Sequence, residues 1–226
     1  MGWTAQIDAY CERLGPGLWA EPLNAASNLA FLIAALVMWR RTCGRGMGGL
    51  LSALLALIGV SSGLWHTLAR GWAGAADSGS ILIFVLVYLF AANRRFLGLG
   101  PWFALGATTL AVPFMVLLGA GFARVSLLGS SAGYLPLPVL IFGYAVALRH
   151  RLPATARGLA LGAGLLVVSL TFRTLDAPVC DRLPAGTHVM WHVLNAIMLA
   201  WMIEVWLRAK NETDQVRFRD DAGCVS

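Results

Sequence analysis

Residues 48–69 read GGLLSALLALIGVSSGLWHTLA. The stretch carries no Asp, Glu, Lys or Arg, and about 20 mostly apolar residues suffice for a helix to cross a bilayer. It closes on Ser62-Gly63-Leu64-Trp65-His66, two polar side chains one helical turn apart in an otherwise apolar run. Working outward, comparable stretches fall at 22–40, 77–96, 102–120, 132–149, 157–175 and 186–208. The whole chain of 226 residues is 58% hydrophobic and only 12% charged, where a soluble domain carries about a quarter charged residues. The expectation is an all-α integral membrane protein, a bundle of seven transmembrane helices. Residues 1–21 form an N-terminal outer loop, 22–209 the membrane domain, and 210–226 a polar, disordered tail. The first residues, with Asp8, Glu12 and the Gly15-Pro16-Gly17 break, have neither the basic start nor the apolar core of a cleavable signal peptide.

The basic residues set an expected orientation. Arg40, Arg41, Arg45, Arg94, Arg95, Arg149, Arg151, Arg157, Arg208, Lys210, Arg217 and Arg219 flank one set of helix ends. Only Arg13, Arg70, Arg124, Arg173 and Arg182 lie on the other side. Short loops rich in Arg and Lys stay in the cytoplasm, which puts the C-terminus inside and the N-terminus outside. The formal charge of +6 is accounted for by these helix ends, with no nucleic-acid surface implied.

With that topology, four polar residues fall at one depth near the outer face. His66 ends an outward helix, Asp77 begins the next inward one, and His188-Val189-Met190-Trp191-His192 opens the last. Residues four apart share a helix face, and ionisable groups inside membranes are costly and usually functional. Three imidazoles with a fourth position open are a known arrangement for catalytic zinc, which provides hydroxide near pH 7 and polarises a carbonyl. Asp77 is the expected proton shuttle, and Ser62 the donor to a developing oxyanion. The plainer reading makes each histidine a hydrogen-bonding group between helices and Ser62 a small packing residue.

These residues also resemble a family. Ala20-Glu21-Pro22-Leu23-Asn24-Ala25-Ala26-Ser27-Asn28 is similar to the E-x-x-N-x-x-S-N signature of alkaline ceramidases. Ser62 to Leu68, Asp77, Phe172-Arg173-Thr174-Leu175-Asp176, Cys180 and His188 to His192 resemble that family's further motifs. The likeness runs nearly the whole chain and extends to the wider seven-helix hydrolase superfamily that includes adiponectin receptors and post-GPI-attachment proteins. It implies a zinc-dependent intramembrane amidase that hydrolyses ceramide to a sphingoid base and a fatty acid. His66, His188 and His192 would be the zinc ligands, with Asp77 and Ser62 catalytic. It further implies calcium in the N-terminal region, for which Asp8, Glu12, Glu21 and Asn24 are the oxygen donors available. Arg13 and Leu14, however, stand where the family pattern has an acid and an amide. Without calcium, Glu21 and Asn24 are expected to hydrogen-bond across helix ends.

Cys11 and Cys180 both fall in outer loops, where oxidation is allowed; they form a disulfide or remain two thiols. The expected ligands are a ceramide-like membrane lipid and the bilayer, with no nucleic acid or protein partner implied. The preference for Arg over a single Lys points to a bacterial inner membrane. Competing readings are a seven-helix lipid receptor or binding protein with structural metal, a transporter with a His–Asp proton relay, and a hydrolase of another lipid amide or ester.

Overall fold

The computed structural model describes residues 2–223, with side chains through Asp214. The described chain is helical apart from loops and one isolated bridge between Gln6 and Arg70. Its helices are α1 (Pro22–Ser27), α2 (Leu29–Thr42), α3 (Gly46–Leu68), α4 (Gly71–Arg95), α5 (Pro101–Phe122), α6 (Pro136–Leu148), α7 (Pro153–Val179) and α8 (His188–Gly223), with a 3-10 segment at Ser126–Ser131. Six are long and apolar enough to span a membrane, counting α1 and α2 as one segment interrupted at Asn28. This is the architecture of a multi-pass membrane protein.

The seventh expected stretch, 132–149, is the one that differs. Its helix α6 has 13 residues, about 20 Å at 1.5 Å per residue, against roughly 30 Å of hydrocarbon. Pro136 starts this helix and Pro138 follows it. Proline lacks the amide that would extend a helix backward and fits its first turn. Residues 126–135 therefore form the 3-10 segment and turns instead. Proline also starts α1, α5 and α7.

The bundle's interior is lined by Phe31 and Met38 of α2, Leu51, Leu55 and Ile58 of α3, and Phe84 of α4. Leu159, Leu166 and Leu170 of α7 meet Ile203 and Trp206 of α8 there. Small residues let the helices approach: a Cβ on Gly162 would lie 2.5 Å from Met202 Sδ of α8. Close approach of this kind replaces the hydrophobic force that is missing between helices in lipid. Helix α5 is peripheral. Trp102, Phe103, Leu110 and Leu117 along it are at least 71% exposed, as a lipid-facing surface would be.

Residues 2–21 fold over the ends of α3, α4 and α7. Ile7 N–H donates to the Ala69 carbonyl at 2.8 Å, and Trp72 N–H to the Trp3 carbonyl at 3.1 Å. A disulfide joins Cys11 to Cys180, with Cα atoms 5.2 Å apart. The expected tail does not leave the helix at residue 210; the α8 backbone stays helical to Gly223. Glu212 explains the continuation, since its carboxylate accepts from Ala154 N–H and Thr155 N–H, both at 2.9 Å, and caps α7.

Candidate metal centre

Two helix ends meet under the N-terminal loop. His66 sits at the end of α3, and His188 and His192 sit on the first turns of α8. All three are 1% exposed. Ring centroids are 5.2 Å apart for His66–His188 and 4.6 Å for each of the other two pairs. One nitrogen from each ring can be chosen so that all three lie within 4.8 Å of one another. Among the described residues, no other three His, Cys, Asp or Glu side chains come so close together.

The ring nitrogens are held in a way that suits metal ligation. His66 Nδ1 lies 2.5 Å from Glu21 Oε2, while its Nε2 is buried with no hydrogen-bond partner. His192 Nδ1 lies 2.6 Å from Ser27 Oγ. The Ser27 hydroxyl donates its proton to the Asn24 carbonyl at 2.8 Å, so it accepts from His192 Nδ1–H. That leaves His192 Nε2 as the lone pair. His188 keeps a buried, unpartnered Nδ1. Metal-bound histidines almost always engage their other nitrogen with a carboxylate, hydroxyl or carbonyl partner. The orphaned nitrogens are what a cation would satisfy, and an all-imidazole set suits zinc.

Backbone capping fixes the geometry. Asp176 of α7 accepts from the amides of Thr187 at 2.7 Å and His188 at 2.9 Å, closing the N-terminus of α8. Gly186 is required beside it. Its φ is +66°, and a Cβ would lie 2.1 Å from Asp176 Oδ1. Tyr10 closes the site from the loop, its ring 4.8 Å from His66 and 4.1 Å from His188. Burial pushes the Tyr10 hydroxyl above its usual range.

Asp77 and Ser62 neighbour each other, and both Asp77 and the histidines share the surroundings of Tyr10 and Arg173. Ser62 is buried and its side chain lies next to the Asp77 carboxyl. Asp77 Oδ1 is buried without a hydrogen-bond partner. The guanidinium of Arg173 is close enough to Asp77 and all three histidines to act on them electrostatically. It lies 5.0 Å from the Tyr134 ring and 5.2 Å from the Trp191 ring.

Of the four residues offered for calcium, Glu12 and Glu21 have their carboxylates drawn to other partners. Glu12 accepts from Leu23 N–H at 2.6 Å and Asn24 N–H at 2.8 Å, capping α1. Glu21 bonds the buried guanidinium of Arg13, Asn24 Nδ2 and His66. Asn24 Nδ2 serves Glu21, its Oδ1 is unpartnered, and Asp8 is exposed. Arg13 thus stands as the cation at Glu21, and it also donates to the His66 carbonyl at 3.0 Å. Burial raises the Glu21 carboxyl above its ordinary value, and Arg13 offsets only part of that rise.

Sequence reasoning named the three histidines but not the residues that hold them. Ser27, Tyr10, Arg173 and Asp176 had no assigned role at the centre, and Glu21 was offered to calcium or to helix ends. Glu21, Asn24, Ser27 and Asn28 do share a helical spacing, and from that face Glu21 reaches His66 and Ser27 reaches His192.

No family model matches the chain, and no curated protein matches it.

Proposed function

We propose that this chain is a zinc-dependent intramembrane amidase of the alkaline ceramidase type, cleaving the N-acyl bond of ceramide-like lipids to a sphingoid base and a fatty acid. The observation that carries the reading is three buried imidazoles, two held at Nδ1 by Glu21 and Ser27, beside a carboxyl whose Oδ1 has no partner. A structural zinc would fill its fourth position with a protein ligand. No fourth His, Cys, Asp or Glu joins the three among the described residues, which favours catalysis over a purely structural metal.

Zinc held by His66, His188 and His192 would supply hydroxide near neutral pH and polarise the amide carbonyl. Asp77 takes up the proton at Oδ1 and passes it to the leaving amine. Ser62 donates to the developing oxyanion. Glu21 and Ser27 hold two imidazoles in the required tautomer. The acyl chain follows the apolar cavity between α4, α6 and α8. A groove between α4, α5 and the start of α6 shares Ile81, Val85, Tyr134 and Leu137 with that cavity and is the side from which a lipid chain would enter.

We count α6 as a seventh crossing, completed on its outer side by residues 126–135, with the histidine end outward and the C-terminus cytoplasmic in a bacterial inner membrane. A cysteine at Leu14, 89% exposed in the N-terminal loop, should react with an impermeant thiol reagent in intact cells, whereas His150→Cys should react only after lysis. Both are made with Cys43 and Cys224 replaced by Ser. The reverse pattern refutes this orientation. The activity itself is tested by incubating purified protein with ceramides and other lipid amides and esters, and identifying released fatty acid by mass spectrometry. Cleavage of esters alone, or of nothing, rejects the amidase reading.

A further inference from the structure

A cavity between α4, α6, α7 and α8 lies beside the histidine-bearing turns of α8, with Trp191 and Asn195 in its wall. Its deep part is apolar, lined by Phe84, Leu166, Leu199 and Met202. The Tyr88 hydroxyl is committed there, donating to the Met202 carbonyl at 3.0 Å. Asn195 is the exception. Its side chain lines the cavity, the residue is 5% exposed, and Oδ1 is buried with no hydrogen-bond partner. It follows His192 by three residues and His188 by seven, so it shares their face of α8 one turn deeper.

A buried, unpaired acceptor is unfavourable, and such groups in folded proteins usually have a partner from water or ligand. We propose that the acyl chain bound in this cavity carries a hydroxyl close to its carbonyl carbon, and that this hydroxyl hydrogen-bonds to the Asn195 carboxamide. The inference rests on the amidase reading for the identity of the chain. A scissile carbonyl at the histidines brings the first few acyl carbons past Asn195, since side chains one turn apart are separated by about 5–6 Å. An unsubstituted chain sets methylene against Oδ1 and leaves it unpaired. Sites built to hydrogen-bond a hydroxyl discriminate strongly against the analogue that lacks it.

Binding tests this without turnover. Dodecanoate, α-hydroxydodecanoate and β-hydroxydodecanoate are titrated calorimetrically into purified wild-type protein and Asn195→Leu, with sphinganine as a fourth ligand. Wild type is expected to bind one hydroxy acid about tenfold or more tighter than dodecanoate, and Asn195→Leu to bind the acids alike. Equal affinities in wild type overturn the proposal and leave an ordered water as the partner of Oδ1. A preference that survives in Asn195→Leu overturns it as well, because the hydroxyl is then read elsewhere. Loss of sphinganine affinity alone in the variant overturns the acyl assignment in favour of the sphingoid chain. Retained dodecanoate binding certifies that the variant is folded; should it fail to fold, Asn195→Ser takes its place and the wild-type comparison still decides. A protein that prefers the hydroxy acid yet cleaves no lipid amide keeps this inference and refutes only the amidase reading.

Discussion

The two ends of the bundle treat charge in opposite ways. At the far end from the histidines, Glu204 bonds both Arg41 and Arg208, whose side chains are 60% and 67% exposed. Glu212 caps α7 with both oxygens. Every one of those carboxylates is saturated, and water screens the pairs. At the histidine end the polar groups are buried, and several keep an atom free: His66 Nε2, His188 Nδ1, Asp77 Oδ1, Arg173 Nε and Asn195 Oδ1. A saturated polar group at a surface serves the fold. A buried one with an open atom carries an energetic cost that a bound water or ligand removes.

The sharpest way to break this contrast is at Asp77. Asp77→Asn keeps its size and loses the base, so turnover should fall by about a hundredfold or more while bound metal stays. Unchanged turnover would make Asp77 another buried structural polar group. Next come the residues that hold the imidazoles. Glu21→Gln and Ser27→Ala should each weaken metal affinity by about 10–100-fold, as loss of such supports commonly does, measured by competition with a chelator. Undiminished affinity in both would mean that the rings are oriented by packing alone.

The saturated end should respond weakly. Glu204→Gln should cost about 1 kcal/mol or less in stability, because exposed ion pairs contribute little, and lipid hydrolysis should be unaffected. A large loss of activity would show that the two ends are coupled. The smallest expected effect is that of calcium. With Arg13 already at Glu21 and Glu12 capping α1, millimolar calcium should leave the melting temperature where it is. A rise, by mass action on the folded state, would restore the calcium site.

The legible part of this protein was what periodicity and local spacing encode. The membrane helices show as long apolar runs, and the three histidines show as polar interruptions at one depth. The supports were hidden because they act across elements: Glu21 reaches His66 over 45 positions of sequence, and Ser27 reaches His192 over 165. Arg13 and Arg173 looked like topology markers at outer helix ends, yet Arg13 is buried against Glu21 and Arg173 faces the centre. The short α6 was signalled by Pro136 and Pro138, but an apolar count over 132–149 does not register where a helix can begin. Asn195 stood out only as one amide in an apolar run; that it lines a cavity is a property of α4, α6 and α8 together.

The central claim is that the three histidines hold one metal ion. Elemental analysis of protein purified without added metal tests it directly, for wild type and for the His188→Ala/His192→Ala double variant. The account predicts about one zinc per chain in the wild type, as for an open three-histidine site, and almost none in the variant. Equal zinc in both proteins, or a folded wild type that neither contains zinc nor takes it up, would contradict it.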